Sequence, residues 1–578
     1  MILPAMIGAV AAVGAIVFYS MLGLSHSFFF EYLGGYHPPG PAGEAPLFDW
    51  GRGIEPRPWM LLVLPTIGGL VSGILVYSLA PEAEGHGTDA AIEAYHNKGG
   101  EVRGRVPFVK AIASAIMIGT GGSAGREGPI AQIGAGFGSL VGKWFRLSAK
   151  DRRVLLTAGM AGGIGSIFHA PVAGALFASE VLYKRMELEG EVLVPATVSS
   201  IIAYTLFASM FGWEPLFLIQ QDLEFKHLYE LLPYTILALC VVLGAFVYAK
   251  SFYMIKDLFV RIPGPRHIKP AIGGLAVGLI GFFGWPDALG SGYGVIQGAI
   301  QGNLTLHFLL AVAGLKILTT GFTIGSGGSG GMFGPSVVIG GALAGAVGLG
   351  LGNLFPGMIE HPESYVIVGM AGFFAAAANT PISTVIMVTE MTGSYHLLLP
   401  TLWVCVISYV LLNKTTIYDT QPAGPLDSPA HLNEMMAETL KRISVREAMD
   451  SGKSEMVTLE RSTSLKEILD LFSTTQQESF PVLDSEGRLM GSLNSRALRA
   501  IAGQAELLQL IVAEDLAMPL PSVTPDEDLL HATKTMSQAG TDEVFVVHPV
   551  EQDRLLGILH RQQVVAVYAM QVMSEGAD

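Results

Sequence analysis

One eleven-residue string recurs in altered form in this chain. Gly119-Thr-Gly-Gly-Ser-Ala-Gly-Arg-Glu-Gly-Pro129 aligns with Gly325-Ser-Gly-Gly-Ser-Gly-Gly-Met-Phe-Gly-Pro335, identical at seven of eleven positions with an offset of 206. Gly159-Met-Ala-Gly162 matches Gly369-Met-Ala-Gly372 at an offset of 210, and Pro171 and Glu180 match Pro381 and Glu390 at the same offset. Gly85-His-Gly87 matches Gly290-Ser-Gly292 at 205. Four pairs kept in one order mark a duplicated chain, with halves running about 1–212 and 232–420.

The duplicated strings lie among apolar runs. Candidates long enough for the hydrocarbon, which needs about 20 apolar residues, fall near 1–24, 58–80, 107–125, 154–182, 193–212, 232–249, 270–286, 303–324, 335–356, 364–388 and 395–412. Run 1–24 lacks the basic start of a signal peptide, and further spans follow it. Several runs are short or broken by Gly and Pro. Irregular backbone at membrane depth is tolerated only where protein buries it or where it lines a cavity. Paired Gly/Pro breaks in two halves therefore point to a midplane binding site. Pro fits a first helical turn, so Pro129 and Pro335 open helices, with the glycines at or beyond the N-termini. Such ends offer free N–H groups and about half a positive charge, which suits a small anion. Close helix packing through small residues is the plainer use of isolated glycines.

Charge divides the chain. Of 34 Lys+Arg and 49 Asp+Glu, residues 431–578 hold 12 and 23, a net −11. Residues 1–430 hold 22 and 26, a net −4. An acidic, water-soluble tail thus follows an apolar body, and an overall −15 excludes nucleic acid as the main partner. Cys240 and Cys405 both lie in apolar runs and offer neither a disulfide framework nor a zinc spacing. No nucleophile–base pair, metal cluster or phosphate-binding loop marks the chain as an enzyme.

Gly125-Arg-Glu-Gly-Pro129, Gly331-Met-Phe-Gly-Pro335, the GxG segment at Gly85 and Tyr418 in Lys414-Thr-Thr-Ile-Tyr418 together resemble the CLC family of chloride channels and proton-coupled chloride transporters. The resemblance covers most of 1–420 and implies an inverted-repeat, mainly α membrane fold with broken helices. It also implies a homodimer with one anion path per subunit. Glu127 would be the gate, its carboxylate standing in the outer anion site until displaced or protonated. The anion-binding set it implies is His86, Gly125, Arg126, Gly128, Gly331, Met332, Phe333, Gly334 and Tyr418. A tyrosine at a membrane edge also serves as an interfacial anchor, and a Glu127–Arg126 pair is the plain alternative to a gate.

Two departures from the family pattern matter. In Gly85-His-Gly-Thr-Asp89, His86 takes the usual Ser place and Asp89 the usual Pro place. Two roles are open to His86: donating N–H to the anion, or turning away to backbone. Nitrate, bromide and fluoride therefore stand beside chloride as cargo. Second, proton-coupled members carry an inner glutamate where this chain has Val181, after Glu180. Valine relays no proton, so the expectation is passive, gated chloride flux. A chloride/proton antiporter is the alternative, with Glu180 or a water chain as substitute; Glu180 is otherwise a paired structural acid. A CBS-linked magnesium transporter is the remote alternative, because backbone donors repel the hard cation it would carry.

Behind a Pro-rich linker (421–442), residues 443–504 and 514–570 read as two similar α/β units. Each has a Met-bearing turn (Ala448-Met449; Ala517-Met518-Pro519), a helix (461–473; 526–538), a strand (479–483; 543–547), a Gly-led strand (491–494; 557–560) and a helix. They are similar to a tandem CBS module, which as a family implies a cytoplasmic tail on a protein of the plasma (inner) membrane. Ala497 and Gln563 stand where nucleotide-binding CBS motifs place Asp, and Asn494 and His560 where those motifs place Ser/Thr. A dimerising role without cofactor is the main expectation, and adenine-nucleotide binding at Asn494 and His560 the other.

Overall fold

The computed structural model describes all residues except 49, 51–52, 221–222, 356–358, 451–455, 476, 478, 495–497, 499–509, 520 and 576–578. The chain divides into two compact units, Met1–Ala430 and His431–Asp578.

The first unit is helical. Its first half contains α1 (Ile2–His26), α2 (Pro58–Leu79), α3 (Thr88–Asn97), α4 (Val106–Gly119), α5 (Glu127–Trp144), α6 (Ala149–Ile167), α7 (Pro171–Glu180) and α8 (Gly190–Phe211). The second half contains α9 (Leu231–Arg261), α10 (Lys269–Phe282), α11 (Tyr293–Ile300), α12 (Leu306–Gly325), α13 (Phe333–Leu354), α14 (Pro362–Ala378), α15 (Pro381–Thr392) and α16 (Leu398–Leu412). Among the described residues, six helical stretches are long and apolar enough to cross a membrane: Ile2–Leu33, Pro58–Leu79, Gly190–Phe211, Leu228–Arg261, Leu306–Gly325 and Phe333–Leu354. Large apolar side chains of α2 (Ile67, Leu70, Ile74) and α9 (Leu239, Leu243, Phe246) face outward. That is costly in water and natural in lipid.

The duplication is visible as swapped contacts. Ser114 Oγ lies 2.9 Å from Ser329 Oγ, and Ser123 Oγ lies 3.0 Å from Thr320 Oγ1. Ser114 and Ser123 are 206 residues before Thr320 and Ser329, so the two bonds are one bond seen twice. The turns entering α7 and α15 repeat too: His169 and Asn379, 210 residues apart, both take left-handed backbone.

Several boundaries differ from the sequence reading. Run 107–125 ends as helix at Gly119, because the glycines beyond it leave the α conformation. Runs 154–182 and 364–388 each form two helices, broken at His169 and Asn379 just before Pro171 and Pro381. Proline disfavours helical backbone in the residue it follows. Helix α5 lies outside the runs drawn from hydropathy, since its glycines dilute it. Residues 421–430 are no free linker: Gln421 Nε2 donates to Val181 O at 2.8 Å, and Ser428 is buried against His96. The rest of that stretch holds the helix Leu432–Arg442.

In the second unit, β1 (Leu459–Glu460), β2 (Ser479–Leu483) and β3 (Leu489–Asn494) form one sheet. β4 (Ser522–Val523), β5 (Glu543–Val547) and β6 (Leu555–His560) form its counterpart. The outer pairs are alike in each: β1 parallel to β2 and β4 parallel to β5, with β3 and β6 antiparallel. Val482 faces Gly491 and Val546 faces Gly557, with a register shift just beyond in both. The first Met-bearing stretch is helix, Val445–Asp450, rather than turn. Leu440, Ile443, Val445 and Ala448 complete the apolar core of the second sheet, and Ala513 that of the first. Each half thus lends its leading segment to the other.

Candidate anion site

The two duplicated glycine strings meet. Gly125 N donates to Gly331 O at 2.8 Å, and Gly331 N to Gly125 O at 2.7 Å, an antiparallel bridge between the halves. The first GxG segment joins them: Gly330 N donates to Gly85 O at 3.2 Å. The helices that follow, α5 and α13, therefore begin side by side. The approach needs glycine, because a side chain on Gly128 would collide with the His86 carbonyl and with Gly331 Cα. Gly87 and Gly292, the N-caps of α3 and α11, have φ of 84° and 81°, a region that glycine enters at little cost.

Glu127, the first residue of α5, is buried with its carboxylate on the partner helix. Gly334 N, in the first turn of α13, donates to Glu127 Oε2 at 3.2 Å. The Tyr293 hydroxyl donates to Glu127 Oε1. A carboxylate is thus seated where the free N–H groups of a helix start attract negative charge. Arg126 does not pair with it. The guanidinium donates through both terminal nitrogens to Glu44 and, at 3.2 Å, to Ile167 O. Its charge is already met by a carboxylate, which separates Arg126 from the other expected anion ligands.

Met332 caps α13 and Phe333 opens it; both are buried. The Phe333 ring lies 4.6 Å from Phe168 and 4.3 Å from Phe374, an apolar wall beside the helix start. Tyr418 is buried, with the His86 ring 5.3 Å away. His86 is 7% exposed. Its Nε2 faces Asp89 Oδ2 at 3.7 Å, and its Nδ1 is buried without a protein partner. The ring is not turned to backbone. Asp89 holds the chain after Tyr418 by accepting from Thr420 N at 3.0 Å and Thr420 Oγ1 at 2.7 Å. A proline there would offer neither acceptor.

Val181 is wholly buried at the C-cap of α7. Beside it, Glu180 accepts from Ile382 N at 3.0 Å, Ser383 N at 2.7 Å and Ser383 Oγ at 2.5 Å, so it caps α15. Glu390, near the end of α15, accepts from Ala173 N at 2.8 Å and Val172 N at 3.3 Å and caps α7 in return. Glu180 has the place of a structural acid.

Sequence reasoning missed Tyr293, Glu44 and two buried lysines. Lys110 Nζ donates to Gly85 O at 2.7 Å and Ala83 O at 3.1 Å. Lys316 Nζ donates to Gly290 O at 2.7 Å and Leu289 O at 3.2 Å. The lysines are 206 residues apart, so the repeat offset was the signal that would have found them. A cavity of about 600 Å³ is lined by Arg126, Tyr293, Glu44 and the 37–48 segment. In the second unit, His560 Nδ1 lies 3.0 Å from Glu543 Oε1, Asn494 ends β3 and Gln563 Oε1 accepts from His560 N at 2.9 Å. Ala497 lies outside the described residues.

Duplicated halves whose broken helices begin together around one carboxylate define an anion-pathway membrane protein. The family model for voltage gated chloride channels matches residues 68–413, and the CBS domain model matches 445–502 and 513–569. The chain belongs to the CLC family, with a C-terminal CBS pair. It is 29% identical over 574 residues to chloride channel protein CLC-e of Arabidopsis thaliana, covering 87% of this chain and 79% of that one. It is 31% identical over 353 residues to the H+/Cl− exchange transporter ClcA of Yersinia pestis bv. Antiqua strain Angola, covering 60% and 73%. A slow cyanobacterial Cl−/H+ antiporter shares the fold with a TM-score of 0.63 at 22% identity, over 72% of this chain and 96% of that one. A eukaryotic CLC transporter does so with a TM-score of 0.57 at 20% identity, over 97% of both.

Proposed function

We propose that this protein is a gated chloride channel, passing chloride passively through one pore in each subunit of a homodimer. The observation that carries this reading is the Glu127 carboxylate held by Gly334 N–H. An anion in transit needs the same donors, so carboxylate and chloride compete for one place. Protonating Glu127 removes the charge that the α13 N-terminus attracts and frees the side chain to leave. Gly331, Met332, Phe333, Gly334, Gly125 and Gly128 supply the backbone around the anion, with Tyr418 and His86 on the opposite wall. Val181 supplies no proton relay, and Glu180 is spent on the start of α15. That favours a channel over an exchanger.

The antiporter is the second reading, and the similarity to ClcA, a proton/chloride exchange transporter, favours it. The test uses full-length protein in chloride-loaded liposomes, with external chloride and pH recorded together. A channel releases chloride without moving protons uphill; chloride-driven uphill proton movement overturns it in favour of exchange. Glu127→Gln is expected to raise flux at neutral pH and to flatten its rise on acidification. A pH profile like the parent's removes Glu127 as gate. We further place the protein in the plasma (inner) membrane with residues 431–578 in the cytoplasm, where the CBS pair supports dimerisation without a required cofactor.

A further inference from the structure

We propose that Tyr293 is the latch of the Glu127 gate, a positioning residue whose hydroxyl holds the carboxylate in the closed place. This rests on Glu127 being the gate. Two donors hold that carboxylate, and they differ in kind. Gly334 N–H is backbone of α13, the surface that an anion must also use. The Tyr293 hydroxyl grips the other oxygen, Oε1, from α11. It therefore binds the gate without being part of the α13 cradle.

The site is built for this contact. Tyr293 is the first residue of α11, so Gly292, at a φ of 81°, fixes where its side chain starts. Its ring is buried, packed edge-on against Phe217 at 5.7 Å, and the Arg126 guanidinium lies 5.5 Å from its centre. Arg126 is itself anchored by Glu44. A side chain on Gly334 would press on the Tyr293 hydroxyl at 2.9 Å, so both sides leave room for the phenol. The mate of Tyr293 at an offset of 205 is Thr88, so the duplication does not repeat the phenol and the hold on Glu127 belongs to one half alone.

Tyr293→Phe removes one hydroxyl and keeps the ring packed on Phe217 and Arg126. A hydrogen bond to a charged group is worth one to two powers of ten in equilibrium. Chloride flux from liposomes should therefore reach half-maximum about 1–2 pH units higher in Tyr293→Phe than in the parent. Fewer protons suffice to release a carboxylate that has lost a donor. The other titratable groups of the site are Arg126, paired with Glu44 beside the Tyr19 ring, and Lys110, His86 and Tyr418 around the first glycine motif. Adding Tyr293→Phe to Glu127→Gln separates their titration from the latch. The double variant should match Glu127→Gln alone. A Tyr293→Phe profile superimposed on the parent's, or a further change in the double variant, overturns the latch. If Glu127→Gln flattens the profile while Tyr293→Phe leaves it intact, the latch alone fails. If Glu127→Gln keeps the parent's pH dependence, the gate fails and the latch with it.

Discussion

At the residue scale, the site divides into groups announced by a motif and groups supplied by distant chain. Glu127, Gly128, Gly331 and Gly334 stand in the duplicated strings, and folding brings those strings together. His86 was legible as a departure, but its direction was not. Only the packed ring shows Nδ1 buried without a protein partner and Tyr418 5.3 Å away. That geometry makes a specific prediction. His86→Ser shortens the wall and exchanges an aromatic N–H for a hydroxyl, so the nitrate-to-chloride permeability ratio should change by about threefold or more, on the scale of one hydrogen bond. Equal ratios in reversal-potential measurements would show that the ring does not touch the path. Tyr293 and Glu44 carried no signal in the chain. A lone tyrosine after a GxG turn and a glutamate in a Pro-rich connection become site residues only when folding brings them to Glu127 and Arg126.

At the scale of elements, the short helices are the informative ones. α7 and α15, at 10 and 12 residues, are too short to cross the hydrocarbon. Each leaves N–H groups at its start without an intrahelical partner. The structure answers with a reciprocal exchange: Glu180 caps α15 and Glu390 caps α7. Glu180→Ala and Glu390→Ala should each cost about 2–4 kcal/mol, the range for losing a charged cap with more than one donor. The check is the temperature at which detergent-solubilised protein leaves its monodisperse peak. Parent-like values in both variants would remove the capping role. Hydropathy found the long helices and merged the short ones. A window of about 20 residues cannot see a break at His169 or Asn379 that takes one residue in left-handed backbone. α5 escaped because its glycines lower the apolar content while serving the packing against α6.

At the scale of the whole molecule, the approximate two-fold relation between the halves organises the membrane unit. It pairs Lys110 with Lys316, each donating to the carbonyls that precede a GxG turn. It repeats the Ser114–Ser329 bond as Ser123–Thr320. The tail repeats on its own terms, with two sheets of one register that exchange their leading segments. There His560, one of the two residues named for a nucleotide, has its Nδ1 3.0 Å from Glu543 Oε1. Titrating full-length protein with ATP in a calorimeter should give no binding heat at millimolar ligand. A saturable signal lost in His560→Ala would return the CBS pair to nucleotide sensing. The sequence by itself determined the apolar body, the acidic tail, the duplication and the glycine–proline strings, because periodicity, charge and repeat order are properties of a line of residues. Tertiary structure alone decided which helix ends face each other and which side chains hold Glu127. It also put Glu180 on the start of α15. Those outcomes depend on donors and acceptors more than 160 residues apart being buried together.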